Sequence, residues 1–324
     1  MKRYPSQGFP KTVLRPEIVA RHEDLVKDLS GTVEKYAQIG RRDESMFDWT
    51  LRVLENCSLS TVEPLYMGSL AVVKTEFALW EVLLDDLIDN ADMRNFKLFD
   101  ELFKIPFEAE HIDRSKLNAD ELKYLDITKE IWDNSLMGEI RRYPKYERYK
   151  KSFDFDVMQL LNALRYSKFV NEDENVANVI ENDAYVPHGM QIMIQMDLDL
   201  MCSKGFNDSE LAMLRQLNYI SQKMARIGNV LGTYPRELIE SDMSSEAVLK
   251  FIKQHEGGIE FKLNKMLKRE TRYPKFEEKI IKQWQDYYQL LKEIANEIKS
   301  IDTVRFLKER EYIEKAYEMK TDTW

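Results

Sequence analysis

Phe77-Ala78-Leu79-Trp80-Glu81-Val82-Leu83-Leu84-Asp85-Asp86-Leu87-Ile88-Asp89 is the stretch whose reading decides the fold. A run that is apolar except at Glu81 ends in three closely spaced aspartates. On a helix, Asp85 and Asp89 stand one turn apart on the same face. Carboxylates spaced this way at the end of a greasy helix repel each other and gain nothing from burial. They make sense with a hard cation between them. Magnesium takes oxygen ligands, commonly one or two carboxylates together with substrate phosphates. The stretch therefore points to a diphosphate held by metal above an apolar pocket. The competing reading is a solvated acidic face.

A second array weighs against that competitor. In Asn229-Val230-Leu231-Gly232-Thr233-Tyr234-Pro235-Arg236-Glu237, the residues Asn229, Thr233 and Glu237 fall at i, i+4 and i+8. Each step of four drifts by about 40° on an α-helix, so the three share a face within about 80°. An amide oxygen, a hydroxyl and a carboxylate are all hard donors suited to magnesium. Arg236 adds a fixed cation for a phosphate oxygen. Pro235 removes one backbone donor, which predicts a kink that displaces Glu237 from helical phase.

Taken together, the two arrays resemble the metal motifs of class I terpene synthases. The first is similar to their aspartate-rich motif. The second is similar to N-x-x-x-[ST]-x-x-x-E with a basic residue before the Glu, although the family often has Asn-Asp where this chain has Asn229-Val230. The separation of 144 residues (229 minus 85) and the chain length suit the microbial single-domain members, and the resemblance spans about residues 50–320. It implies an all-α class I terpenoid synthase bundle with an active site in the bundle core. It implies a lyase that ionises and cyclises a linear prenyl diphosphate to a terpene hydrocarbon or alcohol. Farnesyl and geranylgeranyl diphosphate are the substrates it suggests, with geranyl left open. It implies three Mg2+ ions, with Asp85 foremost among the first-motif ligands, Asp86 and Asp89 either binding metal or orienting neighbours, and Asn229, Thr233 and Glu237 as the second set.

Other family positions match less well. A helix break about 40 residues before the second motif carries a diphosphate-sensing Arg and a nearby Gly carbonyl in the family. Here Pro187 and Gly189 supply the break, and His188 stands where the Arg belongs. Either His188 takes the sensor role, or it is a satisfied core or cap histidine, or the role falls to Arg165 or Arg226. A closing Arg-Tyr pair near the C-terminus is matched imperfectly by Arg305-Phe306 and by Arg310 with Tyr312, of which the second is favoured.

For the hydrocarbon, Phe77 lies at i−8 from Asp85 on the same face and is a pocket candidate against a core role. Trp80, just over one turn before Asp85, is a further substrate contact or core packing. Met190, Met193 and Met196 form a helical stripe, which Met fills as core more often than as pocket.

Composition agrees with one enzyme domain. Of 324 residues, 44% are hydrophobic and 32% charged, enough for a sizeable core. Lys and Arg number 48 against 57 Asp and Glu, a formal net charge of −9, which disfavours sequence-independent nucleic-acid binding. Cys57 and Cys202 are too few for a disulfide framework and read as core thiols. No apolar run reaches 18 residues, so no spanning helix is expected. The start, Met1-Lys2-Arg3-Tyr4-Pro5, lacks a secretory apolar region, and the expected location is cytoplasmic.

The 3.6-residue patterning predicts an irregular strap over residues 1–16 and a single helical domain over 17–324. Helices are expected at 17–40, 45–57, 61–90, 96–104, 118–135, 151–169, 188–202, 208–240, 244–269 and 275–299. Homodimerisation is left open. Three rivals remain. A chain-elongating prenyl synthase normally needs a second DDxxD, which is absent. A protonation-initiated cyclase needs DxDD, and Asp197-Leu198-Asp199 falls short of it. A non-catalytic helical binding module would need neither metal nor substrate.

Overall fold

A computed structural model describes residues 22–43, 45–90, 92–240, 242–253 and 274–319. The expected strap at 1–16 lies outside them. Among the described residues there is no strand, only an isolated antiparallel bridge between Val62 and Ser203. The chain is an all-α bundle, as the patterning predicts. Its helices are α1 His22–Tyr36, α2 Ser45–Glu55, α3 Met67–Asp85, α4 Phe96–Leu102, α5 Ala119–Glu130, α6 Met137–Ile140 and α7 Tyr146–Glu172. They continue with α8 Val179–Tyr185, α9 Ile192–Met201, α10 Leu211–Glu240, α11 Glu246–Lys253, α12 Pro274–Ala295 and α13 Thr303–Met319.

The central helix is α3. It is apolar on nearly every side, so it must be enclosed all round. It packs against α1, α2 and α9. Leu70, Phe77, Trp80, Leu83 and Leu84 lie almost wholly out of solvent. The long helix α10 packs against α9, α11, α12 and α13 and forms the other half of the bundle. The aspartate motif sits at the end of α3 and the second motif late in α10, so the two meet only through tertiary packing.

Local signals account for several boundaries. Asn95 caps α4 by accepting from Leu98 N–H, and Asn118 with Glu121 closes a reciprocal capping box at α5. The helix expected at 118–135 is interrupted, because Ile131–Leu136 is a π-helical turn that leads into α6. That turn brings Trp132 to 4.6 Å from Trp80 between ring centroids. The expected break near residue 188 is present. Val186–Met190 is a 3-10 turn, Gln191 adopts the left-handed conformation at φ 59, and α9 follows.

Two expectations need correction. The helix of the second motif runs through Pro235 to Glu240. Pro235 lacks only its own N–H, and the rest of the ladder carries the turn, so Glu237 stays in phase with Thr233, whose hydroxyl donates to Glu237 Oε1 at 2.7 Å. The helix expected to reach residue 90 ends at Asp85 and passes into turns. Helices α8 and α13 had no separate forecast.

Candidate active site

The first motif keeps its expected register even though α3 has ended. Asp89 N–H donates to Asp85 O at 3.0 Å, so one more helical turn holds the two carboxyls together. Glu81 stands one turn earlier on the same row. In the second motif, Thr233 Oγ1 donates to Asn229 O and to Glu237 Oε1, each at 2.7 Å. Ser245 Oγ donates to the other Glu237 oxygen at 2.6 Å.

Both rows open on one cavity of about 210 Å³. Asp85 and Asp89 line it from α3. Asn229, Thr233 and Glu237 line it from α10, and Arg226 stands one turn before Asn229. Glu81, Asp242, Ser167, Gly189 and Arg42 complete its polar lining. Met46, Trp49, Val82, Leu164 and Met190 supply an apolar part. Five carboxylates thus face two described guanidiniums, a formal excess of negative charge around one cavity.

The carboxylates register that excess. Burial, tempered by Arg42 and added to by Asp86, pushes Asp85 up to about 6. Burial followed by the charges of Asp242 and Asp85 carries Asp89 well above the usual range. Burial and then Asp85 and Asp86 do the same to Glu81. Asp242 is raised by burial and by Glu237. Arg226 answers only part of this. Its Nη1 donates to Asn229 Oδ1 at 2.5 Å and lies 3.7 Å from Glu237 Oε1. Its buried Nε has no hydrogen-bond partner.

A divalent cation fits this donor set. The groups are hard oxygens, they are short of positive charge, and they converge from two helices. Among the described residues no three His, Cys, Asp or Glu side chains close on a single point, so the protein by itself does not complete a coordination shell. Magnesium sites that keep waters and take substrate phosphates have this character.

Comparison with known proteins bears on the architecture. No protein-family model matches the chain, and no curated protein matches it in sequence. A solved cucumene synthase variant is similar in structure, with a TM-score of 0.51 over 96% of this chain and 97% of that one, at 11% identity. The chain has a class I terpene synthase-like fold. At that identity the likeness carries the fold alone.

Within this fold the sequence-predicted site residues divide. Asp85, Asp89, Asn229, Thr233, Glu237, Arg226 and Gly189 come together around the cavity. Asp86 does not. It does not line the cavity and is buried against the cavity-lining Arg42, whose Nε donates to Asp86 Oδ1 at 2.8 Å. Phe77 and Trp80 are also corrected to core. Phe77 packs edge-on to Trp80, Trp132 and Phe153, and neither side chain lines the cavity.

His188 does not line the cavity; its Nδ1 lies 3.2 Å from Gln222 Nε2 and its ring packs against Tyr219. Burial lowers its pKa and keeps it neutral, which suits that interior contact and not an anion. Arg165 stacks on Phe103 at 4.1 Å. Arg310 and Tyr312 lie on α13 outside the cavity, Arg310 over the Phe306 ring at 4.4 Å. The Arg236 side chain lies outside the described residues. Of the methionine stripe, Met190 lines the cavity, whereas Met193 and Met196 are core.

Residues missed at the sequence level are Asp242, Arg42, Trp49, Met46 and Ser167. Glu81 was legible as the i−4 neighbour of Asp85. The others come from separate elements and share no spacing with either motif.

Proposed function

We propose that the chain is a class I terpene synthase that ionises a linear prenyl diphosphate and cyclises the resulting allylic cation. The observation that supports this best is the convergence of the Asp85/Asp89 row and the Asn229/Thr233/Glu237 row on one cavity with an apolar side. Asp85 and Asp89 would hold metal on one wall, and Asn229, Thr233 and Glu237 on the other. Bound magnesium supplies positive charge that stabilises the departing diphosphate as the allylic C–O bond breaks.

The chain's own groups then divide the work. Arg226, with a buried unpartnered Nε, donates to a phosphate oxygen and takes the sensor role in place of His188. Gly189 brings the backbone of the helix break to the cavity wall. The C–O electron pair leaves with the diphosphate, and the hydrocarbon keeps the positive charge. Trp49 is the aromatic face that lines the cavity, and such a face stabilises a cation by about 0.5–2 kcal/mol. Met46, Val82, Leu164 and Met190 exclude water and impose the folded shape of the chain. Loss of a proton or capture of water ends the sequence.

Incubation with the C10, C15 and C20 diphosphates and Mg2+ tests this, with diphosphate release and mass analysis of the organic extract as readouts. A cyclic product from one substrate, abolished by chelation and by Asp85→Asn, is expected. Release only when isopentenyl diphosphate is added would favour a chain-elongating synthase. No Mg2+-dependent release from any of the three would overturn the assignment.

A further inference from the structure

We infer that Asn171 is a positioning residue that clamps the two motif walls together, an inference that rests on the functional reading above. Asn171 sits in the last turn of α7, one turn after the cavity-lining Ser167. Its side chain reaches three groups on two other elements. Its Nδ2 donates to Asp89 Oδ1 at 3.0 Å and to Asp242 Oδ1 at 3.3 Å. Its Oδ1 accepts from the Met243 backbone N–H at 2.9 Å.

The amide orientation follows from its surroundings. Two carboxylates require a donor, and the Met243 N–H requires an acceptor. Asp89 belongs to the α3 wall. Asp242 follows the α10 wall, where its backbone N–H donates to Glu237 O at 3.1 Å. Without Asn171, the two carboxylates would lose the donor they share, Asp242 keeping the Ser244 N–H on its Oδ1, and would move apart. With it, their separation is set from a third helix, before any cation arrives.

The turn after α10 has a second tether of a different kind. Asn182, on α8, donates to Ser244 O, and its link to Asp242 runs only through the Ser244 backbone, whose N–H donates to Asp242 Oδ1 at 2.8 Å. It therefore offers a control, because it holds the same turn without bridging the walls.

Partners that orient metal ligands typically change metal affinity by about 10–100-fold when removed. The test is the Mg2+ concentration needed to raise the melting temperature of the whole chain in the presence of inorganic diphosphate. Asn171→Leu and the smaller Asn171→Ser are compared with Asn182→Leu, and far-UV circular dichroism confirms folding. Both Asn171 variants are expected to need about 10-fold more Mg2+ or above, with Asn182→Leu near wild type in that requirement even if it melts earlier. In an Asp242→Asn background, the Asn171→Leu effect should shrink. An unchanged Mg2+ requirement in both Asn171 variants, or an equal increase in Asn182→Leu, would overturn the clamp while leaving the enzyme assignment standing. If the wild-type chain itself gains no stability from Mg2+ and diphosphate together, the functional reading falls and takes the clamp with it.

Discussion

Asp85→Asn should make the metal-free protein more stable at alkaline pH while destroying its proposed activity. The magnitude follows from the environment of Asp85, whose carboxyl is pushed from 3.8 to about 6 chiefly by burial. A rise of that size corresponds to about 3 kcal/mol. A carboxyl with a folded-state value above its unfolded one binds its proton more tightly when folded. Its stabilising contribution is therefore complete below about pH 3.8 and is lost as pH rises through about 6. Between pH 5 and pH 8 the loss from Asp85 alone is about 1.5 kcal/mol. Asn cannot ionise, so the variant escapes the cost. The gain at pH 8 is about 3 kcal/mol, or about 4 °C in melting temperature for a domain of this size. Thermal melts in chelator at pH 5 and pH 8 measure it. The wild type should melt earlier at pH 8, the variant should show a smaller pH difference, and Mg2+ with diphosphate should restore the wild type alone. A wild-type melting temperature that rises from pH 5 to pH 8, together with an Asn variant less stable at pH 8, would refute the electrostatic account of the cavity.

The next predictions concern residues that the structure moved into or out of the site, and the last a buried ion pair in the core. Arg226→Gln should lower kcat/KM for diphosphate release by about 10²-fold or more, as loss of a charge-stabilising donor does, whereas His188→Gln should stay within about two-fold because the ring faces Gln222; steady-state kinetics compares them. Trp80→Ala should cost about 3–5 kcal/mol in denaturant unfolding and leave the product profile of the residual folded enzyme unchanged, while Trp49→Ala should change the product profile at a smaller stability cost. Lys74, fully buried and 2.6 Å from Asp199, forms an ion pair in the core; Lys74→Met should cost about 3–5 kcal/mol and the double change with Asp199→Leu should recover most of it, as denaturant midpoints will show.

The fold was largely legible in the sequence because it rests on local signals. The apolar run from Phe77 to Leu84 reads as a helix buried on all sides, and α3 is that helix. Asn118 and Glu121 sit where a capping box starts α5. The break at Pro187 and Gly189 reads directly as a helix interruption. Failures arose where the chain keeps helical spacing but changes its winding. The π-helical turn at Ile131–Leu136 carries no residue signal distinct from an α-helix. The expected Pro235 kink overweighted one lost donor against a helix of 30 residues.

The metal rows were legible for the same reason, since a spacing of four residues is a local property that survives folding. Which neighbour of each ligand also faces the cavity was harder. Asp85 and Asp86 are chemically identical and adjacent, yet one lines the cavity and the other pairs with Arg42, 44 residues away. His188 and Gly189 are adjacent as well, and only the glycine reaches the cavity wall.

By itself the sequence determined most of the helices, the two oxygen-donor rows and the chemistry those rows suit, because each depends on residues within a few turns of one another. Only the tertiary structure decided that the rows share a cavity, that Asp242, Arg42 and Trp49 join it, and that Phe77, Trp80 and Arg310 do not. Those outcomes depend on the rotation of each helix about its axis and on contacts between residues far apart in the chain. Such quantities are set by the packing of the whole bundle, and no local pattern encodes them.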